Sequence, residues 1–241
     1  MGLIEDLADL AKDTSQAVGR PLVVLCYAQS LDGSITARRG QPLVLSGEAA
    51  FRYVHRLRSA CDGILVGIGT VLADDPQLNV RLVNGPHPQP IILDSSLRFP
   101  LTARLLKRPG PPPWIFTAES ASSTRQTELE QAGARVFRLP QHADNTLDLA
   151  ALLDCLHQLD FHSLMVEGGA RVISSFLQAR LADYLVMTLV PVFVGGLHAL
   201  EQPLFKNHHT APPTDTLELP HLQQVQYELH GPDLVITGRL A

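Results

Sequence analysis

The sequence predicts a three-layer α/β fold with a mostly parallel central sheet, helices on both faces and antiparallel strands at its C-terminal edge. Three observations carry this expectation. Strand-like and helix-like segments alternate along most of the 241 residues, the order in which crossover helices build a parallel sheet. Several strand-like segments, among them Leu22-Val23-Val24-Leu25 and Ile64-Leu65-Val66, are unbroken apolar runs, as strands covered on both faces require. The last segment instead reads as a hairpin: residues 225–229, the turn Gly231-Pro232-Asp233, then residues 234–237.

In chain order, Leu3, Leu7 and Leu10 recur at helical spacing and predict a short amphipathic helix. Residues 1–20 therefore read as a helical extension, and residues 21–241 as one domain without internal repeat or long linker. Residues 21–28 form the first strand. Ser46, followed by Glu48 and Ala49, is placed as the N-cap of a helix running through Phe51, Val54, Leu57 and Arg58. Residues 62–66 are a second buried strand ending in Gly67-Ile68-Gly69-Thr70. Short strands follow at 91–94 and 114–117, set off by proline-rich loops such as 109–113. Residues 124–132 read as a helix, 135–139 as a strand, 147–159 as a helix and 163–166 as a strand. A helix then runs from the glycines at 168 and 169 to about residue 180, and 184–191 returns as a strand.

Composition removes several function classes. Hydrophobic residues make up 45% of the chain and charged residues 18%, the balance of a globular protein rather than a disordered or fibrous one. The net charge is −5, and Lys and Arg are scattered, so the basic stripe of a nucleic-acid binder is missing. Cys26, Cys61 and Cys155 form no CxxC pair and no metal-ligand spacing, which predicts reduced, mostly buried thiols. Glu5, Asp6 and Asp9 near the start argue against a signal peptide, and no apolar run is long enough to cross a bilayer. A cytoplasmic protein without membrane or nucleic-acid partners is expected. His198, His208 and His209 show no regular ligand spacing, so they read as solvated and no metal is expected. His55, on a helix of mixed polarity, reads as a surface or interface residue.

Chemistry concentrates at two glycine-rich strand-to-helix junctions, Val66-Gly67-Ile68-Gly69-Thr70 and Val166-Glu167-Gly168-Gly169-Ala170. Glycine lets a phosphate approach the backbone, and a helix start offers N–H groups and a positive dipole end. Leu72 stands where GxGxxG needs its third glycine, so neither junction is a Rossmann fingerprint. Two such corners at strand carboxyl ends would face one crevice, which argues for a cofactor spanning it. Asp32, in Ser30-Leu31-Asp32-Gly33, and Asp74 fit either contacts to a ribose hydroxyl or the capping of turns. Spacing leaves both readings open.

The SLDG of residues 30–33, His55-Arg56-Leu57-Arg58, the stretch 62–81 (DGILVGIGTVLADDPQLNVR), Leu93-Asp94-Ser95, the VEGG of 166–169 and the PVFVGG of 191–196 occur in the order of one family. From residue 21 onward the chain resembles the reductase domain of the bifunctional riboflavin-biosynthesis deaminase/reductase family, with 62–81 the most specific part. It has neither HxE nor PCxxC of a zinc deaminase, so a stand-alone reductase is expected. The resemblance implies a dihydrofolate-reductase-like fold, NADPH as cofactor and a homodimer. It implies an NADPH-dependent oxidoreductase of the 5-amino-6-(5-phosphoribosylamino)uracil reductase type, which turns a ribosylamino into a ribitylamino group by hydride transfer to C1′ of a small phosphorylated pyrimidine-ribose. Against the cofactor it places Ala28, Gly67, Gly69, Thr70, Asp74, Ser95, Gly168, Gly169, Ala170, Arg171 and Val172. Around the substrate it places Ser46, Arg58, Leu78, Arg81 and Glu167, with the two arginines on the 5′-phosphate, where a guanidinium fork suits the anion. Glu167 and Asp32 are the catalytic candidates, and Glu167 or a water would protonate the imine nitrogen. Cys26 stands where many bacterial members carry lysine, and residues 43–46 lack a tryptophan often found there. These departures leave open whether the pyrimidine is deaminated, and admit a related pterin- or pyrimidine-like substrate. A nucleotide-binding protein without turnover is the alternative from another class.

Overall fold

The unbroken apolar runs become strands of one sheet, because a run apolar on both faces needs cover on both sides. A computed structural model describes residues 2–200 and 220–241. In chain order the elements are α1 (Leu3–Val18), β1 (Leu22–Ser30), β2 (Ser34–Thr36), α2 (Glu48–Ala60), β3 (Gly63–Gly67), α3 (Ile68–Asp74), β4 (Gln89–Leu93), a 3-10 turn (Arg104–Leu106), β5 (Trp114–Ala118), α4 (Ser123–Gln131), β6 (Arg135–Leu139), α5 (Leu149–Gln158), β7 (Ser163–Gly168), α6 (Ala170–Gln178), β8 (Tyr184–Val190), β9 (Leu197–His198), β10 (Leu222–His230) and β11 (Asp233–Leu240).

Among the described residues nine strands form one sheet in the order β10-β11-β8-β1-β7-β3-β4-β5-β6. From β8 to β6 every neighbour is parallel, and β11 and β10 add the antiparallel edge. This is the expected fold class. Alternate residues of β1 feed opposite layers. Val23 and Leu25 pack under α5 and α6 with Leu152, Leu156 and Phe176. On the other face Leu22 and Val24 meet α1 and α2 through Leu7, Tyr53 and Leu57, while Ile64 and Val66 of β3 meet Phe99, Leu105 and Leu129. The N-terminal helix thus shares a core with β1 and α2. No helix among the described residues is long and apolar enough to cross a membrane.

Two local expectations are corrected. Ser46 does not cap α2: the helix begins at Glu48 behind Gly47, with no side-chain cap. The Gly47 N–H instead donates to Asp233 Oδ2 at 2.7 Å, a carboxylate at the start of β11 that replaces the local cap. The C-terminal hairpin is also longer than its apolar core, because β-ladder pairing extends from Leu222↔Leu240 to the turn. A small second sheet pairs β2 with β9.

Candidate active site

Strands β3 and β7 are parallel neighbours, with Val66 opposite Gly168, so both glycine corners leave the same edge of the sheet. Gly168 and Gly169 have φ of +86° and +92°, a region that residues with a Cβ rarely adopt. A Cβ on Gly168 would lie 2.6 Å from Ile173 Cγ1, and one on Gly67 would lie 2.9 Å from Val172 Cγ2. Across the corners the Thr70 hydroxyl donates to the Gly168 carbonyl at 3.2 Å. The two turns therefore interlock. Gly69 differs, because it is exposed, helical, and has nothing within 4 Å of where a Cβ would stand. Neither packing nor backbone conformation requires glycine there.

Over these corners opens a cleft of about 1380 Å³, at the carboxyl ends of the parallel strands where open α/β sheets take ligands. Ten of the eleven residues expected around the cofactor line it; Gly168, buried at the end of β7, does not. The sequence reading missed two walls. One is β2 and the segment after it, including Ile35, Thr36, Leu43 and Leu45, and the other is the stretch before α5, including His142, Asp144 and Thr146. Leu43 and Val44 are exposed apolar residues in a loop bearing glycine and proline, which was the available signal for the first. No periodicity marks the second.

Glu167 also lines the cleft, near the end of β7. Behind it, in the last turn of α2, lies Arg58, only 7% exposed. Arg58 Nε and Nη2 donate to the two Glu167 oxygens at 2.5 and 2.7 Å, and Nη1 donates to the Asn79 carbonyl at 3.2 Å. Burial works against the Arg58 cation, but attraction and hydrogen bonding from Glu167 outweigh it and raise its pKa. Asn79 Oδ1 in turn accepts from Arg81 Nη1 at 3.2 Å. Arg81 is exposed, with its guanidinium 5.6 Å from the Phe51 ring centre. A continuous polar chain thus runs from the cleft carboxylate to a surface guanidinium. Ser46, Arg58, Leu78 and Arg81 do not themselves line the cleft, and Leu78 is buried in the core beside β3.

Asp32 has a different part from the catalytic one expected. Its Oδ1 accepts from the Ser30 hydroxyl and the Val194 N–H, and its Oδ2 from the Ser34 hydroxyl and the Gly195 N–H, all at 2.6–2.9 Å. Four donors fill the acceptor capacity of a carboxylate and hold its pKa well below the usual range. Asp32 does not line the cleft; it ties the turn after β1 to the segment after β8. His55 is likewise corrected, being fully buried rather than at the surface. Its Nδ1 accepts from the Arg81 N–H at 3.2 Å, and burial, then Arg58 and Arg81, push its pKa down to about 4. It is therefore neutral at physiological pH. The cysteines are free thiols, and burial pushes the Cys26 thiol far up, so the wall it forms beside Glu167 carries no charge. His208 and His209 lie outside the described residues; among those described, no cluster of three metal-ligating side chains occurs.

The arrangement can be set beside known proteins. The RibD C-terminal domain family matches residues 21–236. The chain belongs to that family. It is 36% identical over 181 residues, 73% of this chain and 80% of the relative, to the 2,5-diamino-6-ribosylamino-4(3H)-pyrimidinone 5′-phosphate reductase of Aquifex aeolicus. Among solved structures, Acinetobacter baumannii RibD superposes with a TM-score of 0.81 at 24% identity over 98% of this chain, which spans 62% of that protein's length. The Saccharomyces cerevisiae riboflavin biosynthesis reductase Rib7 superposes at 0.70 with 27% identity, covering 98% of this chain and 100% of the other. In this family member, then, the glycine corners and Glu167 share one cleft, with Arg58 buried behind the carboxylate.

Proposed function

We propose that this RibD C-terminal domain protein is an NADPH-dependent reductase acting on 2,5-diamino-6-ribosylamino-4(3H)-pyrimidinone 5′-phosphate, converting its ribosylamino to a ribitylamino group. The observation that carries the reading is the meeting of the two glycine corners, with Gly69 bare of packing, in the cleft that Glu167 enters from β7. The name of the Aquifex aeolicus relative supports the diamino form of the substrate.

The residues present fit a dinucleotide. Gly69 leaves open space against the backbone, Gly169 and the start of α6 can face phosphates, and Ser95, Arg98 and Arg171 line the same cleft. The two arginines supply the cations that would favour NADPH over NADH. When bound, NADPH supplies the hydride that the opened, imine form of the substrate needs at C1′.

The chain's own residues supply alignment. Both Glu167 oxygens accept from the Arg58 fork, which fixes the carboxylate where it can orient substrate donors, and Glu167 or a water supplies the proton to the imine nitrogen. Arg58 acts through Glu167 and Asn79, and the exposed Arg81 meets the 5′-phosphate. Leu43, Leu45 and Leu72 give the same cleft an apolar wall. We further place the protein in the cytoplasm as a homodimer. The free thiols support the first assignment, and the outer strand β10, with Tyr227 and Leu229 exposed, supports the second.

Single-turnover oxidation of NADPH, followed at 340 nm with the diaminopyrimidinone ribosylamino phosphate, tests the reading; oxidation is expected with that acceptor. Binding of NADPH without oxidation would favour a nucleotide-binding protein, and oxidation only with another pyrimidine would move the substrate.

A further inference from the structure

Residues 76–88, which present Arg81, contain neither helix nor strand, so their backbone groups need partners other than a helix or a ladder. Side chains supply them. Arg58 holds the Asn79 carbonyl, His55 Nδ1 accepts from the Arg81 N–H, and His87 Nδ1 accepts from the Val80 N–H at 3.1 Å. The fourth clamp is Arg108, 8% exposed. Its Nη1 donates to the carbonyls of Gln77 at 3.0 Å and Leu78 at 2.6 Å. Its Nη2 donates to the Pro88 carbonyl at 3.2 Å, and its Nε to the Pro109 carbonyl at 3.1 Å.

This grip is chemically unusual. A buried guanidinium ordinarily meets a carboxylate, and the partners of Arg108 are all main-chain carbonyls. Burial, then Arg58, push its pKa down to about 10, so it stays cationic at neutral pH. Stability alone is often served as well by an apolar side chain in such a place. The carbonyls it holds belong to both ends of the segment, 77–78 and 88, so one side chain closes the loop. Leu78 has φ +46°, a conformation costly for a branched residue unless its surroundings impose it. That turn sets the direction in which Asn79 and Arg81 leave it.

We infer that Arg108 is a positioning residue for the substrate: it fixes the left-handed turn at Leu78 and so aims Asn79 and Arg81 at the phosphate-bearing end. The inference rests on the proposed reductase reading. It assigns Arg108 no contact with substrate or cofactor. Its place before Pro109-Gly110-Pro111-Pro112-Pro113 makes it look like part of a loop spacer.

Arg108→Met and Arg108→Lys test it, with KM and kcat for the phosphorylated substrate measured beside the Kd for NADPH by fluorescence titration. Arg108→Met should raise KM about tenfold or more with kcat within about threefold and NADPH affinity unchanged. Arg108→Lys, which keeps the charge but reaches fewer carbonyls, should fall between it and the parent protein. A residue that merely supports folding would lower the melting temperature without this split. Parent-like KM in both variants, with the parent protein turning over, overturns the inference alone. Loss of NADPH binding in both variants also overturns it, since Arg108 would then support the whole fold. Absence of turnover in the parent protein overturns the reductase reading, and the inference falls with it.

Discussion

The two sides of the cleft are built by opposite means. At the ends of β3 and β7 the backbone itself is the instrument: positive-φ glycines at the β7 end, close contacts and ladder hydrogen bonds fix the corners without a long side chain. Beyond Glu167 the backbone of 76–88 is irregular; the side chains of His55, Arg58 and Arg108 hold it from a distance, and its own His87 ties it internally. The first side should therefore be stiff and tolerant of surface change. The second should give way when a single clamp is removed.

The largest expected effect concerns the link between the two sides. Glu167→Leu strands the buried Arg58 cation, and removing one partner of such a pair costs about 3–5 kcal/mol. Urea unfolding should show that loss, and adding Arg58→Met should return much of it. A single-variant loss below about 1 kcal/mol would mean the pair behaves as an exposed salt bridge, and the two sides are not coupled through it.

Next, Arg81→Ala should raise KM for the phosphorylated substrate about 10- to 100-fold, the worth of a charge-assisted hydrogen bond, with NADPH affinity unchanged. Equal loss for both ligands in steady-state kinetics and titration would erase the distinction between the sides.

His55 sharpens the comparison through pH. Its folded pKa of about 4 lies below its ordinary value of 6.5. Above pH 6.5 both folded and unfolded rings are neutral, and between 6.5 and 4 the unfolded chain takes the proton first. Stability should therefore fall as pH drops through that window, by at most about 1.4 kcal/mol per pH unit from this group. His55→Gln should flatten the slope in chemical unfolding; an unchanged slope would place the ring in contact with water.

The smallest effect separates function from packing on the glycine side. Gly69→Ala should leave the protein as stable or about 0.5–1 kcal/mol more so, while weakening NADPH binding in a fluorescence titration. Gly168→Ala should cost stability instead, because Ile173 and the backbone conformation oppose a Cβ. Unweakened NADPH binding in Gly69→Ala would take the cofactor away from that corner.

This contrast also explains what the sequence could and could not convey. The corners were legible because glycine, strand end and helix start are consecutive in the chain, and the buried strands because their apolar runs are continuous. Long-range partners were not. Ser46 looks like a cap until Asp233, 186 residues beyond Gly47, takes the Gly47 N–H. Asp32 looks like an available acid until Val194 and Gly195 close on it. His55 sits on a helix of mixed polarity, and what buries it includes the Arg81 main chain and the Phe51 ring. Arg108 was invisible for the same reason, since its four carbonyl partners come together only in the folded protein.

The central claim is that both glycine corners serve one cofactor cleft, and a crystal structure with NADPH at saturating concentration tests it most directly. The account predicts the dinucleotide across the ends of β3 and β7, touching the backbone of Gly69 and Gly169, with its nicotinamide toward Glu167. NADPH bound elsewhere, or a cleft left vacant at that concentration, would contradict it.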